Sequence, residues 1–299
     1  MEEIKISVIV TTYRREASLK TALNSLGKQT YTNIEIIIVD DNADIFWNNK
    51  VKDILLNYKK NQDITLVYII NEKNEGSAQS RNLGIDRATG KYITFLDDDD
   101  IYGPDKIKNQ LTDMIKNQAD YSLTDLWLYS DEGKLIEKRS RDYILDKSPK
   151  SLQRYHLKYH MTGTDVMMFK KSYLKFIGGF AKVDVGDEFY LMHKAIRGKG
   201  KFTYLKKCDV KAYVHTKING LSSGNGKIYG ENRLYEYKEK YFNILSSKDI
   251  SYIKMRHFAV LSFAELRRKR MLMFLKYAVI SFFHEPTQSI TLLLKRRIK

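Results

Sequence analysis

The first hundred or so residues repeat one pattern: a short β-branched run, a polar break, then a segment of helix length. Ile4–Thr11 opens it and leads through Thr12-Tyr13-Arg14-Arg15 into a helical stretch from Ser18 to about Lys28. Leu19, Ala22, Leu23 and Leu26 mark the apolar face of that helix. Ile34–Val39 is a second buried strand ending in Asp40-Asp41-Asn42, followed by a helix around Asn49–Lys59 and a third strand at Ile64–Ile70. Ser77–Ala88 reads as a helix with Gly90 past its end, and Tyr92–Leu96 runs straight into Asp97-Asp98-Asp99-Asp100. Strand and helix alternating at this spacing predict a parallel sheet with covering helices. Such sheets bind ligands outside the carboxyl ends of their strands. Thr11-Thr12-Tyr13, Asp40-Asp41-Asn42 and Asp97–Asp100 are therefore expected to converge on one crevice.

The acidic run is the sharpest chemical signal. Two carboxylates about 4 Å apart repel by about 1 kcal/mol in water and about 4 kcal/mol at an intermediate dielectric. A buried group of four wants a cation, and hard oxygen ligands select Mg²⁺ or Mn²⁺. An exposed acidic loop with no ligand is the plain alternative. The strand running directly into the acids weighs against it, because that strand places them at the binding edge of a sheet.

Phe95-Leu96-Asp97-Asp98-Asp99-Asp100-Ile101-Tyr102-Gly103-Pro104 resembles the Asp-x-Asp segment of the inverting family 2 glycosyltransferases. Three further stretches resemble the same family in its order and spacing over about the first 105 residues: Ser7–Tyr13, Ile37–Asn42 and Asn74–Gly84. The resemblance implies the GT-A fold, an α/β architecture with a Rossmann-like, mostly parallel central sheet flanked by helices. It also implies a nucleoside-diphosphate sugar donor, UDP-linked by family preference, and a divalent cation, Mn²⁺ or Mg²⁺, across the diphosphate. By position, Asp99 would hold the metal, Asp98 the ribose, and Asp97 would open the motif with Asp100 behind it. Thr11, Thr12 and Tyr13 would let the nucleotide approach the first turn. Asp41 would meet the N–H of a uracil base, with Asp40 supporting its turn. Arg81 would face the nucleotide side of the crevice, where a fixed cation suits a base or phosphate oxygen.

Beyond Pro104 the resemblance is looser. Met161–Ser172 and Ile177-Gly178-Gly179-Phe180 resemble the acceptor-side strand and its glycine turn, and Val185–Leu191 sits where the family carries its catalytic acidic pair. The usual order there is Glu-Asp, whereas this chain has Asp187-Glu188. Asp187 is favoured by a spore-coat polysaccharide glycosyltransferase with Gly-Asp at this place, and Glu188 remains the alternative. His215, after the pair, would complete the metal shell or touch the diphosphate; as a lone histidine it is equally consistent with a structural role. The implied division is a nucleotide-sugar half (1–104), an acceptor half (105–220) and a loop with a helical basic extension (221–299). Within the last, Ser222-Ser223-Gly224-Asn225-Gly226 reads as a flexible loop.

Charge and composition bound the remaining options. The 299 residues carry 52 bases against 36 acids, a net charge of +16, which predicts attraction to polyanions. Residues 251–299 alone hold 11 Lys/Arg and 2 acids. There Arg267-Arg268-Lys269-Arg270 precedes the apolar stretch Met271–Phe283, the composition of a membrane-surface segment or, equally, of a buried helix with a solvated flank. No zinc-finger, RNA-recognition or helix-turn-helix signature points to nucleic acid. With Cys208 as its one cysteine, no visible signal peptide and no apolar run of spanning length, the chain reads as cytoplasmic, peripheral at most on the inner face of a membrane. The acceptor would be a carbohydrate or a lipid-linked chain in cell-envelope or surface polysaccharide synthesis. Two rivals stand beside this reading. A sugar nucleotidyltransferase would want a Gly-rich loop where Thr11–Glu16 stands, and a non-catalytic nucleotide-sugar-binding relative has the Asp-Glu inversion as its support.

Overall fold

The buried β-branched runs become the strands they predict. The computed structural model describes residues 4–61, 64–183, 185–214 and 224–297. Its chain order begins β1 (Ile6–Thr12), α1 (Ala17–Leu26), β2 (Ile34–Asp40), α2 (Ile45–Asn61), β3 (Thr65–Ile70), α3 (Ser77–Arg87) and β4 (Tyr92–Phe95). It continues with β5 (Ile101–Tyr102), α4 (Lys106–Lys116), β6 (Tyr121–Thr124), β7 (Leu126–Ser130), β8 (Leu135–Arg139) and α5 (Pro149–Tyr159). A 3₁₀ turn (Thr164–Val166) leads into β9 (Met167–Lys170), then α6 (Lys171–Phe176), α7 (Asp187–Arg197), β10 (Phe202–Leu205) and β11 (Val210–Val214). Helices α8 (Gly224–Glu239), α9 (Ser247–Arg267), α10 (Met271–His284) and α11 (Pro286–Arg297) complete it.

Seven strands form the central sheet in the order β10-β6-β9-β4-β1-β2-β3. β1 pairs in parallel with β2 and β4, β2 with β3, and β6 with β10. β9 runs antiparallel to both β4 and β6. This is the mostly parallel α/β sheet expected, with one reversed strand inside it. Ile36, Ile37, Ile38 and Val39 are fully buried, as a strand covered on both faces requires. β5, β11, β7 and β8 form a second, four-stranded sheet.

Two local expectations change. α2 begins at Ile45 rather than near Asn49, because Asp44 caps it: its Oδ1 accepts from the backbone N–H of Phe46 (3.0 Å) and Trp47 (3.1 Å). The flexible loop read at Ser222–Gly226 is in part helix, since α8 starts at Gly224; Ser222 and Ser223 lie outside the described residues. Glycine costs a helix only about 1 kcal/mol, and α8 gains from packing in return. At Gly230 a Cβ would stand 2.7 Å from the Val185 side chain, so the missing side chain allows the close approach.

The chain divides into two compact units. The first holds residues 1–152, 161–183 and 187–216, including both sheets. The second holds residues 153–160, 184–186 and 217–299, with α8 to α11. Within it Asp249 is buried, accepts from Ser246 Oγ at the start of α9 (2.8 Å), and pairs with Arg154 (2.6 Å) and Lys158 (2.8 Å).

Candidate active site

The three polar strand ends meet in the first unit, as the alternation requires. Thr12, the last residue of β1, donates from Oγ1 to Asp98 Oδ2 at 2.6 Å, and the Tyr13 N–H reaches the same oxygen at 3.4 Å. Thr11 stands in register with Val39 of β2. Arg14 adopts a positive φ of 51°, and its N–H donates to Asn42 Oδ1 (2.6 Å), stitching the β1 turn to the β2 turn. Asp40 accepts from the Asn42 amide and from Tyr68 Oη (2.6 Å). Asp41 accepts from Asn71 Nδ2 (2.7 Å) and from the N–H groups of Glu75 (2.8 Å) and Gly76 (2.9 Å). Gly76 sits at φ 81°, a backbone conformation that glycine adopts without strain, and opens α3. Asp41 thus shapes the turn that aims α3, and with it Arg81.

Residues 97–100 alternate in exposure. Asp97 and Asp99 are half-buried, while Asp98 and Asp100 are buried. Asp99 Oδ2 pairs with Arg15 at 3.0 Å. Asp98 is pushed up to about 7, first by burial and then by the charge of Asp99, against the hydrogen bond from Thr12. Asp165, in the 3₁₀ turn before β9, joins the group: its Oδ1 accepts the Asp97 N–H at 2.6 Å, and it shares a hydrogen bond with Asp100. Burial, then the Asp97 charge, pushes Asp165 up to about 7; burial and Asp165 itself push Asp100 well above the carboxylate range.

One oxygen each from Asp97, Asp100 and Asp165 lies within 4.8 Å of the others. A divalent ion with oxygen ligands at about 2.1–2.5 Å fits among oxygens so spaced. The crowded acids are a donor set whose mutual repulsion a hard cation would relieve. A buried prop stands beneath them: Lys106 donates from Nζ to Thr94 Oγ1 (2.6 Å) and Tyr102 Oη (2.7 Å), and Tyr102 Oη reaches the carbonyls of Phe95 and, at 3.1 Å, Asp165.

Arg81 links this group to the acidic pair. Its buried guanidinium donates to Asp97 Oδ1 at 2.7 Å and to Asp187 Oδ2 at 2.5 Å, and lies 5.4 Å from the Phe180 ring centroid. The neighbouring Asn82 fixes Phe180, accepting its N–H (2.8 Å) and donating to its carbonyl (3.0 Å). Asp187 opens α7 and accepts the Glu188 N–H at 2.9 Å; the two side chains also share a hydrogen bond. Burial pushes Asp187 up to about 6, with Arg81 opposing and Glu188 adding to the rise. One continuous network therefore runs from Thr12 through Asp98 and its chain neighbour Asp97 to Arg81, Asp187 and Glu188.

Of the residues singled out from sequence, Thr12, Tyr13, Asp97, Asp98, Asp99, Arg81, Asp187 and Glu188 fall in or beside this network, with Thr11 and Asp41 in the adjoining turns. His215 lies outside the described residues. Sequence reasoning passed over Asp165, Asn71, Tyr102 and Lys106. Asp165 had a signal, an acid just before an apolar run, but no reason in sequence to reach the edge where β4 ends.

Comparison with known proteins places the chain in a family. The profile of glycosyl transferase family 2 matches residues 7–177. An uncharacterised glycosyltransferase of Methanocaldococcus jannaschii, MJ1057, is 30% identical over 226 residues, 74% of this chain and 75% of that protein. A Campylobacter jejuni protein named GalNAc(5)-diNAcBac-PP-undecaprenol beta-1,3-glucosyltransferase is 28% identical over 205 residues, 64% of this chain and 63% of its own. Other relatives are far longer, and this chain spans 22% or less of the rickettsial glycosyltransferases it matches. In structure, Staphylococcus aureus TarS 1-349 in complex with UDP-GlcNAc superposes with a TM-score of 0.60 at 18% identity, covering 95% of this chain and 92% of that one. The shared architecture is the GT-A fold, and the chain belongs to glycosyl transferase family 2.

Proposed function

We propose that this glycosyltransferase moves a sugar from a UDP-linked donor to an acceptor hydroxyl, with a divalent cation and with inversion at the anomeric carbon. The observation that carries the reading is the Asp97–Arg81–Asp187 bridge, which puts an acidic cluster and an acidic pair on two sides of one guanidinium. Mn²⁺ or Mg²⁺, held by Asp97 and Asp99 or by Asp97, Asp100 and Asp165, would supply positive charge opposite the diphosphate leaving group. Thr12 and the Tyr13 backbone, fixed by Asp98, shape the turn the nucleotide approaches. Asp41 sets the wall on the base side by holding Glu75 and Gly76.

The acidic pair takes the acceptor's proton. Asp187 is 6% exposed, and both its oxygens are engaged, one by Arg81 and one by the Glu188 N–H. We therefore assign contact with the acceptor hydroxyl to Glu188, with Asp187 steering it and taking up charge through their shared hydrogen bond. As Glu188 takes the hydroxyl proton, the acceptor oxygen bonds to the anomeric carbon on one face and the bond from that carbon to the diphosphate oxygen breaks on the other, which inverts configuration. By analogy with the undecaprenol-linked substrate in the Campylobacter protein's name, the acceptor is a carbohydrate or lipid-linked chain of the cell envelope. The site of work is then the cytoplasmic face of a membrane.

Thermal stability with UDP, GDP and CDP, each with and without Mn²⁺, tests the donor site. A ligand at a hundredfold excess over Kd stabilises the native state by about 2.7 kcal/mol. A metal-dependent shift with UDP, lost in Asp99→Ala, supports the reading. A shift with another nucleotide would replace the donor, and no shift with any of them would favour a non-catalytic relative.

A further inference from the structure

Helix α10 carries apolar side chains on its outer side as well as its inner one. Met271, Leu272, Leu275, Val279, Phe282 and Phe283 are all exposed, Leu272 at 84% and Phe283 at 78%. At about 100° per residue these positions fall on one side of the helix. The buried residue of this helix is a serine, Ser281, at 3% exposure. Its hydroxyl donates to the Met255 carbonyl of α9 at 2.9 Å and shares a hydrogen bond of 2.9 Å with Ser289 Oγ of α11, itself buried. Ser281 and Tyr277, whose ring stacks 6.1 Å from that of Phe258 of α9, fasten the inner face, while leucine and phenylalanine cover the outer one. A helix that faces water shows polar side chains on its outer side.

The charge around this face names its partner. Residues 266–284 contain five Lys/Arg and no Asp or Glu. Arg267, Lys269 and Arg270 are exposed just before the helix, and Lys276 is exposed beside the apolar stripe, where a long stem can lie along apolar surface with its ammonium in water. Fourteen residues make a helix of about 21 Å, short of the roughly 30 Å hydrocarbon core. Among the described residues no helix is long and apolar enough to cross a membrane. An apolar face with flanking bases and too little length to span belongs in the plane of an anionic headgroup region. A second copy of the chain fits worse, since a two-fold pairing of this face brings two sets of like charges together.

We infer that the exposed face of α10, with the basic run Arg267–Arg270, seats this chain on an anionic lipid surface. The inference rests on the membrane-side placement proposed for the enzyme and names the contact that achieves it. UDP binding, which reads the donor site alone, tells failure of one from failure of the other.

The test is co-sedimentation of the full chain with vesicles of phosphatidylcholine alone and of phosphatidylcholine with phosphatidylglycerol. The chain is expected to pellet with the anionic vesicles, to be partly released by salt, and to bind neutral vesicles weakly. Leu272→Ser with Phe283→Ser, both at exposed positions, should lower anionic-vesicle partitioning by about tenfold or more while leaving the UDP-induced thermal shift unchanged. Lys269→Gln with Arg270→Gln should weaken binding and flatten its salt dependence. A supernatant chain with either vesicle type, or equal binding by the serine variant, overturns the inference. A concentration-dependent dimer that the serine variant dissociates overturns it too, and assigns the face to a second copy.

Discussion

At the amino edge of the central sheet one buried glutamate is surrounded by donors, whereas at the carboxyl edge a group of buried aspartates is crowded by other acids. Glu35, near the start of β2, accepts from Ser7 Oγ (2.5 Å), from the Thr89 N–H (2.6 Å) and hydroxyl (2.7 Å), and from the Gly90 N–H (3.2 Å), and pairs with Lys5 at 3.0 Å. Burial pushes its carboxyl up, but the bonds from Ser7, Thr89 and Lys5 outweigh that and hold it at about 2. Gly90 makes the clasp possible, since a Cβ there would stand 2.6 Å from the Ser7 nitrogen. Asp98, Asp165 and Asp187, at the other edge, are all pushed up to about 6 or 7, first by burial and then by the acids beside them, Asp99, Asp97 and Glu188 respectively. Glu35 gathers five donors and no acidic neighbour raises it, whereas the aspartates, though hydrogen-bonded, are crowded by other acids. The first arrangement stabilises the sheet, and the second keeps charge ready for a ligand.

The contrast is broken most severely at the acidic pair. Glu188→Gln should lower turnover about 10²–10⁴-fold, the usual range for a general base, while the UDP and Mn²⁺ thermal shift survives. Near-normal turnover would return the proton to Asp187. Arg81→Met leaves Asp97 and Asp187 facing a buried gap, and chemical denaturation should show a loss of about 3–5 kcal/mol. A loss under 1 kcal/mol would mean that the bridge does not hold the site together.

Glu35→Gln should cost about 2 kcal/mol and leave donor affinity untouched, because it removes charge-assisted bonds at the edge away from the site. The sign with pH follows from the lowered carboxyl. Its contribution is complete above the ordinary glutamate range near 4.5 and is lost as pH falls toward about 2. Denaturation at several acidic pH values should show that slope in the native protein and a flatter one in the variant. For the acidic pair the same logic acts on rate. Protonating Asp187, pushed up to about 6, removes the charge that supports the proton transfer to Glu188, so turnover should fall as pH drops below about 6. A flat rate between pH 7 and 5 would take the pair out of the proton transfer; those two values are about one unit either side of the predicted midpoint.

The smallest expected effect is also the most direct test of crowding. Asp165→Asn should stabilise the metal-free protein by about 1 kcal/mol, since it removes one of the repelling charges. It should also abolish the rise in melting temperature that Mn²⁺ alone gives the unaltered chain. A destabilised variant that still responds to Mn²⁺ would move the ion to Asp97 and Asp99.

How much of this was legible in the sequence follows from which interactions are local. β1, β2, β4 and the acidic run were readable because burial on both faces demands continuous β-branched runs, and strand order then carries their polar ends to one edge. Arg81 and Asp187 were visible as residues, but their bond spans 106 positions and needs α3 and α7 placed side by side. Asp165 was hidden for a topological reason. β9 runs antiparallel to β4, so the turn before β9, not the one after it, arrives beside Asp97. α10 shows the same limit. Its composition announced an apolar helix beside a basic run, and periodicity could not say which face would meet the protein. The tertiary structure decided that by burying Ser281 and leaving Leu272 and Phe283 outside, with the Ser281 hydroxyl bonded to Met255 and Ser289 and the Tyr277 ring stacked on Phe258 along the inner side.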